Sequence, residues 1–370
     1  MNIPAADDLA RIVIQRAEML ARIPAPTGAE QQRAEVVTGW WEADGLAPTV
    51  DAAGNVWAMA IAGDGPAILL CAHLDTVFGH DVPHAVSIRD GRMIGPGVGD
   101  DCVGVAALSQ VGKLAADSDP AGHGGPLWLL ATVGEEGAGN LAGIRHALAE
   151  PPQPVAAVIA VEGNYLGRVV NTGVGSVRWL VSFSGPGGHA WERSDVPSAV
   201  HAAVAAASQI ATLTVAGAQH SVNIGTIGGG EAITARARSA WFTTDLRAAS
   251  AEILAALERQ ARKALEAVTP DGISVEVTQI GRRPAGQTGP SSPLVRAAIT
   301  ALERAGETAR LSAASTDANA AYAAGIPAIA LGVTRGAGEH TPGEWIETAP
   351  IGSGVAVLAE TIMMFWKAAA

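Results

Sequence analysis

Four short stretches of this chain each end an apolar run with a side chain able to hold a metal ion. ILLCAHLD carries His73 and Asp75, LWLLATVGEE carries Glu135 and Glu136, AAVIAVEG carries Glu162, and AIALGVTRGAGEH carries His340. On a strand, residues i and i+2 share a face, so the Asp75 carboxylate can bond the second nitrogen of the His73 imidazole and fix its tautomer. Adjacent residues leaving a strand point to different sides. One of the pair Glu135 and Glu136 can therefore bind metal while the other faces a substrate cavity as a proton carrier. GPGVGDDCVG adds Asp100 and Asp101, neighbouring carboxylates that repel each other unless a cation sits between them. Gly95, Gly97 and Gly99 loosely resemble a dinucleotide fingerprint. The spacing is wrong, no long strand precedes them, and acids would face the pyrophosphate, so that reading is set aside. His73, Asp100, Glu136, Glu162 and His340 together are nitrogen and oxygen ligands without a thiolate. One bridging carboxylate plus one His and one carboxylate per metal would build a dinuclear Zn²⁺ site. Two Zn²⁺, three carboxylates and one hydroxide sum to zero charge, which suits a half-buried cleft.

The elements that must position these groups follow from periodicity. An apolar run bounded by glycine reads as a buried strand, and in an open parallel sheet function gathers beyond the carboxyl ends of the strands. Residues from about 5 to 45 read as two helices, and strands and helices then alternate up to Glu162, the rhythm of a parallel or mixed sheet. After Gly175 the character changes. SVRWLVSFSG is a strand, an Ala-rich helix follows Pro197, and SVNIGTIGGG and AITARARSAWFTTDLRA read as two strands joined by a glycine turn. SAEILAALERQARKALEAV is an amphipathic helix and ISVEVTQI a last strand. That βαββαβ order is the ferredoxin-like pattern. Helical periodicity resumes at SSPLVRAAITALERAG. The fold class expected is therefore α/β, a mixed and mostly parallel sheet flanked by helices, with an inserted ferredoxin-like α+β domain. Its parts are residues 1–173, the insert at 174–284, and 285–370.

Bulk properties narrow the classes. A chain of 370 residues favours two domains. A formal net charge of -12 argues against nucleic acid and anionic membranes as partners. No run approaches the roughly 18 unbroken apolar residues of a membrane helix, and the first residues lack the pattern of a signal peptide, so a cytoplasmic setting is expected. Two cysteines, Cys71 and Cys102, exclude a disulfide scaffold. Neither has a basic neighbour in sequence to activate it, so both are expected to be buried free thiols rather than nucleophiles.

In order along the chain, HLDTV, GPGVGDD, VGEEG, VEG, GPGGHAW, DLR, STDAN, GIPAIALG and EHTPGEW resemble the motifs of a hydrolase family. It is the dinuclear zinc family of glutamate carboxypeptidase, acetylornithine deacetylase, succinyl-diaminopimelate desuccinylase and aminoacylase. The resemblance implies that His73 and Glu162 bind one metal, Glu136 and His340 the other, and Asp100 both, through a loop whose Asp100–Asp101 peptide is often cis. It implies that Asp75 orients His73 and that Glu135 is the general acid/base. In the insert, it makes His189 the oxyanion-stabilising histidine, commonly reaching a partner subunit's site, Arg247 the holder of the substrate carboxylate, and Asn223 a further polar contact. A homodimer through residues 174–284 is also implied. His80, His84, His123, His201 and His220 match no family position and are expected to be structural or exposed. Trp191 and Trp345 lie near enough to motif residues to shape a pocket. The chain departs from relatives at Thr234 and Ala237, where Asn and Pro are common, and at Cys102, where Lys is common. The expected cofactor is two divalent ions, Zn²⁺ first, with Co²⁺ or Mn²⁺ as alternatives. The expected reaction is hydrolysis of an amide bond in a short peptide with a free carboxylate, by a metal-bridged hydroxide with Glu135 as base. Competing readings are an N-acyl amino acid deacylase and an inactive metal-dependent binding protein.

Overall fold

The computed structural model describes residues 3–118, 125–217 and 219–369; His123 lies outside the described residues. The chain divides into two compact units, Met1–Gly173 with Gln287–Ala370, and Val174–Gly286.

The first unit is built on a mixed sheet whose centre is four parallel strands. In spatial order these are Leu127–Thr132, Ala67–His73, Val155–Val161 and Ala328–Leu331. Val56–Ile61 runs antiparallel beside the first, and Arg168–Gly173 antiparallel beside the last. Arg310–Ala314 pairs parallel with Arg168–Gly173. Ala67–His73 and Ala328–Leu331 are buried at every position. Strands covered on both faces must be apolar on both, which is why they read as unbroken apolar runs. Alternate residues serve the two layers. Ile68, Leu70 and Ala72 join the core formed with helices Ile3–Ala21, Gln31–Ala43, Val103–Ser118, Pro293–Arg304 and Ile351–Ala369. Leu69 and Cys71 face the opposite layer, with Ala142–Ala149 and Ala318–Ala323. Cys71 and Cys102 are both buried and free. Burial pushes the Cys102 thiol up to about 11, so it is held as an inert thiol.

Helix Ile351–Ala369 contains a stretch long and apolar enough to cross a membrane. Here Val355, Leu358 and Ile362 are fully buried in the core, against helices Val103–Ser118 and Pro293–Arg304. Its apolarity is that of a central core helix.

A second, antiparallel sheet in this unit joins short strands from distant parts of the chain. Its order is Gly336–Ala337, Trp345–Glu347, Arg92–Ile94, Ser87–Arg89. None exceeds three residues, so no periodicity announces them.

The inserted unit is an antiparallel sheet in the order His220–Gly229, Ser239–Ala248, Gly175–Ser184, Ser274–Arg283. Helices Ala199–Ala211 and Ala251–Val268 pack on one face, over Trp179, Phe183, Phe242 and Leu246. Ser250 caps the second helix, its hydroxyl accepting from the Ile253 N–H at 3.2 Å. The arrangement is ferredoxin-like. One expectation is corrected: the strand after the glycine turn begins at Ser239, not at Ala232. The residues between are drawn elsewhere, since Ala235–Arg236 pairs with Gly188–His189.

The close packing of strand ends gives a test. Gly332 follows the Ala328–Leu331 strand, and a Cβ added there would stand 2.2 Å from the Tyr165 backbone nitrogen. Backbone cannot yield as a flexible side chain can. Gly332→Ala is expected to lower unfolding stability by about 2 kcal/mol or more, read from urea midpoints; an unchanged midpoint contradicts this packing.

Candidate metal centre

The central parallel strands deliver their carboxyl ends to one place. His73 is the last residue of its strand, Glu162 follows Val161 directly, and Glu135 and Glu136 follow Thr132 by a short turn. His340 is placed differently from expectation. It lies well beyond Leu331, on the loop between short strands Gly336–Ala337 and Trp345–Glu347. Asp100 comes from the loop after Arg92–Ile94, the neighbour of Trp345–Glu347 in the same small sheet. The main sheet thus supplies three of the expected ligands and the small sheet the other two.

Asp100 stands between the two imidazoles. His73 Nε2 is 2.9 Å from its Oδ1, and His340 Nε2 is 3.2 Å from its Oδ2 and 3.2 Å from Glu136 Oε1. His73, Asp100 and Glu162 offer donor atoms within 4.8 Å of one another, as do Asp100, Glu136 and His340. The two triads share Asp100 alone. Each holds one imidazole and two carboxylates, the nitrogen and oxygen set that suits a divalent transition metal. A third grouping of the same span brings Glu135 to His73 and Glu136. His73, Glu135, Glu136 and Glu162 are buried, while the His340 side chain is 57% exposed and opens the cluster to solvent. His340 also adopts φ 62°, the left-handed region that a non-glycine residue rarely occupies.

The residues beside the triads act on backbone. The Asp75 carboxylate accepts from the N–H groups of Glu135 at 3.0 Å and Glu136 at 2.9 Å, and from the Thr27 hydroxyl at 2.8 Å. Its Oδ1 stands 3.6 Å from His73 Nδ1, whereas its own carbonyl oxygen is 3.0 Å from that nitrogen. The expected carboxylate–imidazole bond is thus replaced by a carbonyl one, because three donors claim the carboxylate. Nδ1–H donates to this carbonyl, which points Nε2 at Asp100; with the ring protonated Nε2 donates to the Asp100 carboxylate, and on losing that proton it would offer its lone pair to a cation. Asp101 turns its carboxylate to backbone donors. Across the cis Asp100–Asp101 peptide, its carboxylate accepts from His73 N–H at 3.2 Å and Gly163 N–H at 2.9 Å. Glu30 accepts from Gly134 N–H at 3.1 Å, and buried Arg33 donates to the Leu74 carbonyl at 2.7 Å. Glu344 accepts from three N–H groups of the Asp100 loop. Glu30, Arg33 and Glu344 carry no mark in the sequence, and Asp101 is marked there only as the acidic neighbour of Asp100. An acid or arginine in a loop or helix carries no mark there that distinguishes a buried clamp from a solvated charge.

Charge crowding shapes the titration of the centre. Burial alone would lower the His73 pKa, but the hydrogen bond to Asp100, the Asp75 carboxylate close by, and the charges of Asp100 and Asp101 lift it well above its ordinary value. Hydrogen bonds to Asp100 and Glu136 push His340 up to about 10. Asp100 is held well below the usual carboxylate range: burial opposes this, and the two imidazoles outweigh it. Burial and neighbouring carboxylates raise Glu162 and Asp101. Glu344 is raised to about 8 by burial and the Asp100 charge, against the pull of its three N–H donors. A cation bound by these groups would take the place of their protons, so metal binding here is coupled to pH.

The other expected site residues belong to the inserted unit. His189 is exposed on the short strand Gly188–His189, and its Nδ1 accepts from the N–H groups of Trp191 at 3.3 Å and Glu192 at 3.4 Å. Arg247 and Asn223 lie on adjacent strands, and Asn223 pairs in register with Asp245. Arg247 Nε donates to Asp245 Oδ2 at 2.9 Å. Trp191 is 85% exposed, and Trp345, in the first unit, is stacked by the Arg92 guanidinium at 3.9 Å. His80 and His201 are exposed; His84 and His220 are half-buried against backbone carbonyls.

Residues 69–364 match peptidase family M20/M25/M40. The chain belongs to this family. Among solved structures, it is similar to aminopeptidase PepT from Bacillus cereus, at 22% identity and a TM-score of 0.78, over 96% of this chain and 98% of that one. A tripeptidase from Staphylococcus aureus gives 20% identity and a TM-score of 0.81, over 97% and 99%. The Bacillus subtilis YXEP protein, a dinuclear metal binding peptidase from the M20 family, gives 19% and 0.70, over 98% and 99%. No curated protein matches the chain. The M20 membership and the paired triads together make this a metallohydrolase centre with a donor set for two divalent cations.

Metal ligation requires neutral imidazole and ionised carboxylate. At pH 7 the raised values of His73 and His340 leave protons on the metal-free centre, and the raised value of Glu162 acts in the same direction. Loading with Zn²⁺ should therefore release protons, and affinity should rise as pH increases from 6 to 8. Calorimetry in buffers of different ionisation enthalpy measures the number released; none released contradicts the protonated cluster.

Proposed function

We propose that the protein hydrolyses an amide bond in a small substrate bearing a free carboxylate, a short peptide first of all, with two divalent cations, Zn²⁺ in the first instance. The observation that carries this reading is the pair of triads sharing Asp100, with Glu135 beside them and belonging to neither. When bound, the cations supply Lewis acidity, lowering the pKa of water toward neutrality and polarising the scissile carbonyl. Glu135 takes the proton of the attacking water and hands it to the leaving amine. Asp75 serves both ends of this arrangement, fixing the His73 ring through its carbonyl and the Glu135–Glu136 backbone through its carboxylate.

In the inserted unit, His189 stabilises the developing oxyanion. Its Nδ1 already accepts two backbone N–H groups, so its proton sits on Nε2, where a donor is wanted. Arg247 holds the substrate carboxylate, its guanidinium oriented by Asp245 through Nε, and Asn223 adds a polar contact. A homodimer formed through the inserted unit fits its open edge. Strand His220–Gly229 ends the sheet order and exposes Ile227.

Glu135→Gln is expected to keep its metal content and lose about 10²–10⁴-fold in kcat on dipeptides and tripeptides. Unchanged turnover would sink the assignment. On the wild type, peptides should be cleaved ahead of N-acetyl amino acids, and C-terminal amidation should raise KM. The reverse preference points to an N-acyl amino acid deacylase, and no hydrolysis of any substrate to a binding protein. Mixing His189→Ala subunits with Glu135→Gln subunits should restore part of the activity if His189 serves the partner's site. No recovery contradicts that action across the dimer.

A further inference from the structure

Glu344 lies four positions after His340, on the strand side of the loop that presents it, and is fully buried. Its Oε2 accepts from Gly97 N–H at 2.9 Å, and its Oε1 accepts from Gly99 N–H at 2.7 Å and Asp100 N–H at 2.8 Å. Its backbone is tied to the same two loops. The Glu344 carbonyl accepts from Gly95 N–H at 2.9 Å, and the Glu344 N–H donates to the Thr341 carbonyl at 3.1 Å. The next residue, Trp345, pairs with Ile94 in the small sheet. A buried carboxyl group is costly unless donors surround it, and three converging N–H groups offset part of that cost here. The approach needs Gly99, where an added Cβ would stand 2.7 Å from Glu344 Oε1.

We infer that Glu344 is a positioning residue for the second cation of the proposed centre, locking the Asp100 loop and the His340 loop into one unit. The asymmetry between the two triads follows from where the clamp acts. The triad of Asp100, Glu136 and His340 takes two of its three ligands from the loops Glu344 joins. The triad of His73, Asp100 and Glu162 takes one, and there Asp101 supplies a separate clamp, binding the N–H of His73 and of Gly163 next to Glu162. Loosening Glu344 therefore frees the second triad far more than the first. A side chain that only stabilised the fold would weaken both alike, or neither.

This inference rests on the two-cation reading, and the test separates them. Metal-free wild type and Glu344→Gln are titrated with Zn²⁺ by calorimetry, with thermal unfolding of both metal-free proteins measured alongside. Glutamine keeps the shape but offers one acceptor oxygen in place of two. The wild type should take up two ions. The variant should bind the first with affinity within threefold of wild type and the second at least tenfold more weakly. Gly99→Ala, whose Cβ would press on Glu344 Oε1 and on Ile346 without removing the carboxyl group, should reproduce that split, and it keeps the test open if Glu344→Gln fails to fold. Two ions bound with unchanged affinities, or both weakened equally, overturn the role of Glu344 and leave the two-cation reading intact. A wild type that binds fewer than two ions overturns both.

Discussion

Carboxylates crowded at a mostly buried sheet edge repel one another, and everything at this centre answers to that repulsion. Asp75, Asp101, Glu135, Glu136 and Glu162 are all buried around two imidazoles, with Asp100 at the middle. Such a group can persist only by taking up protons or cations, or by giving its oxygens to backbone donors. The structure uses the last device for some of these acids and leaves the others for a metal. The division is visible in the hydrogen bonds: Asp75 and Asp101 face N–H groups, whereas Asp100, Glu136 and Glu162 face imidazole or one another.

The fold supports this division by bringing two sheets to the same place. Parallel strands that end together put His73, Glu162 and the Glu135–Glu136 turn within a few ångströms. Their strands are held by a core on both faces of the sheet. The small antiparallel sheet brings Asp100 and His340 from residues far apart in sequence. Catalytic and ligand loops are often the mobile parts of a protein. Here they are fastened by carboxylates acting as clamps: Glu30 and Asp75 hold the Glu135–Glu136 turn, Glu344 holds the Asp100 loop, and Asp101 holds the backbone of His73 and of Gly163 next to Glu162. Acids hold acids in place, at no distance from where charge has to be placed.

Much of this was legible in the sequence, for a physical reason. ILLCAHLD and AIALG read as strands because both faces of the sheet are covered, and the acid or histidine at the end of such a run marks the sheet edge. The ferredoxin-like insert was legible because its helices and strands are long enough to show their periods. What escaped has a common cause, which is pairing between distant segments. Strands of two or three residues around Met93 and Ile346 leave no periodic trace, so His340 seemed to belong to the strand end at Leu331. The late start of the strand at Ser239 depends on Ala235 meeting His189. The carbonyl role of Asp75 and the clamp roles of Asp101 and Glu344 depend on which backbone N–H groups lie within reach, and residue types alone do not say that.

The central claim is that one carboxylate is shared by two cations. The most direct measurement is anomalous diffraction from crystals of the protein loaded with Zn²⁺. Two peaks should flank the Asp100 carboxylate, one ligated by His73 and Glu162 and the other by Glu136 and His340. A single peak, or two peaks that Asp100 does not bridge, would contradict that claim.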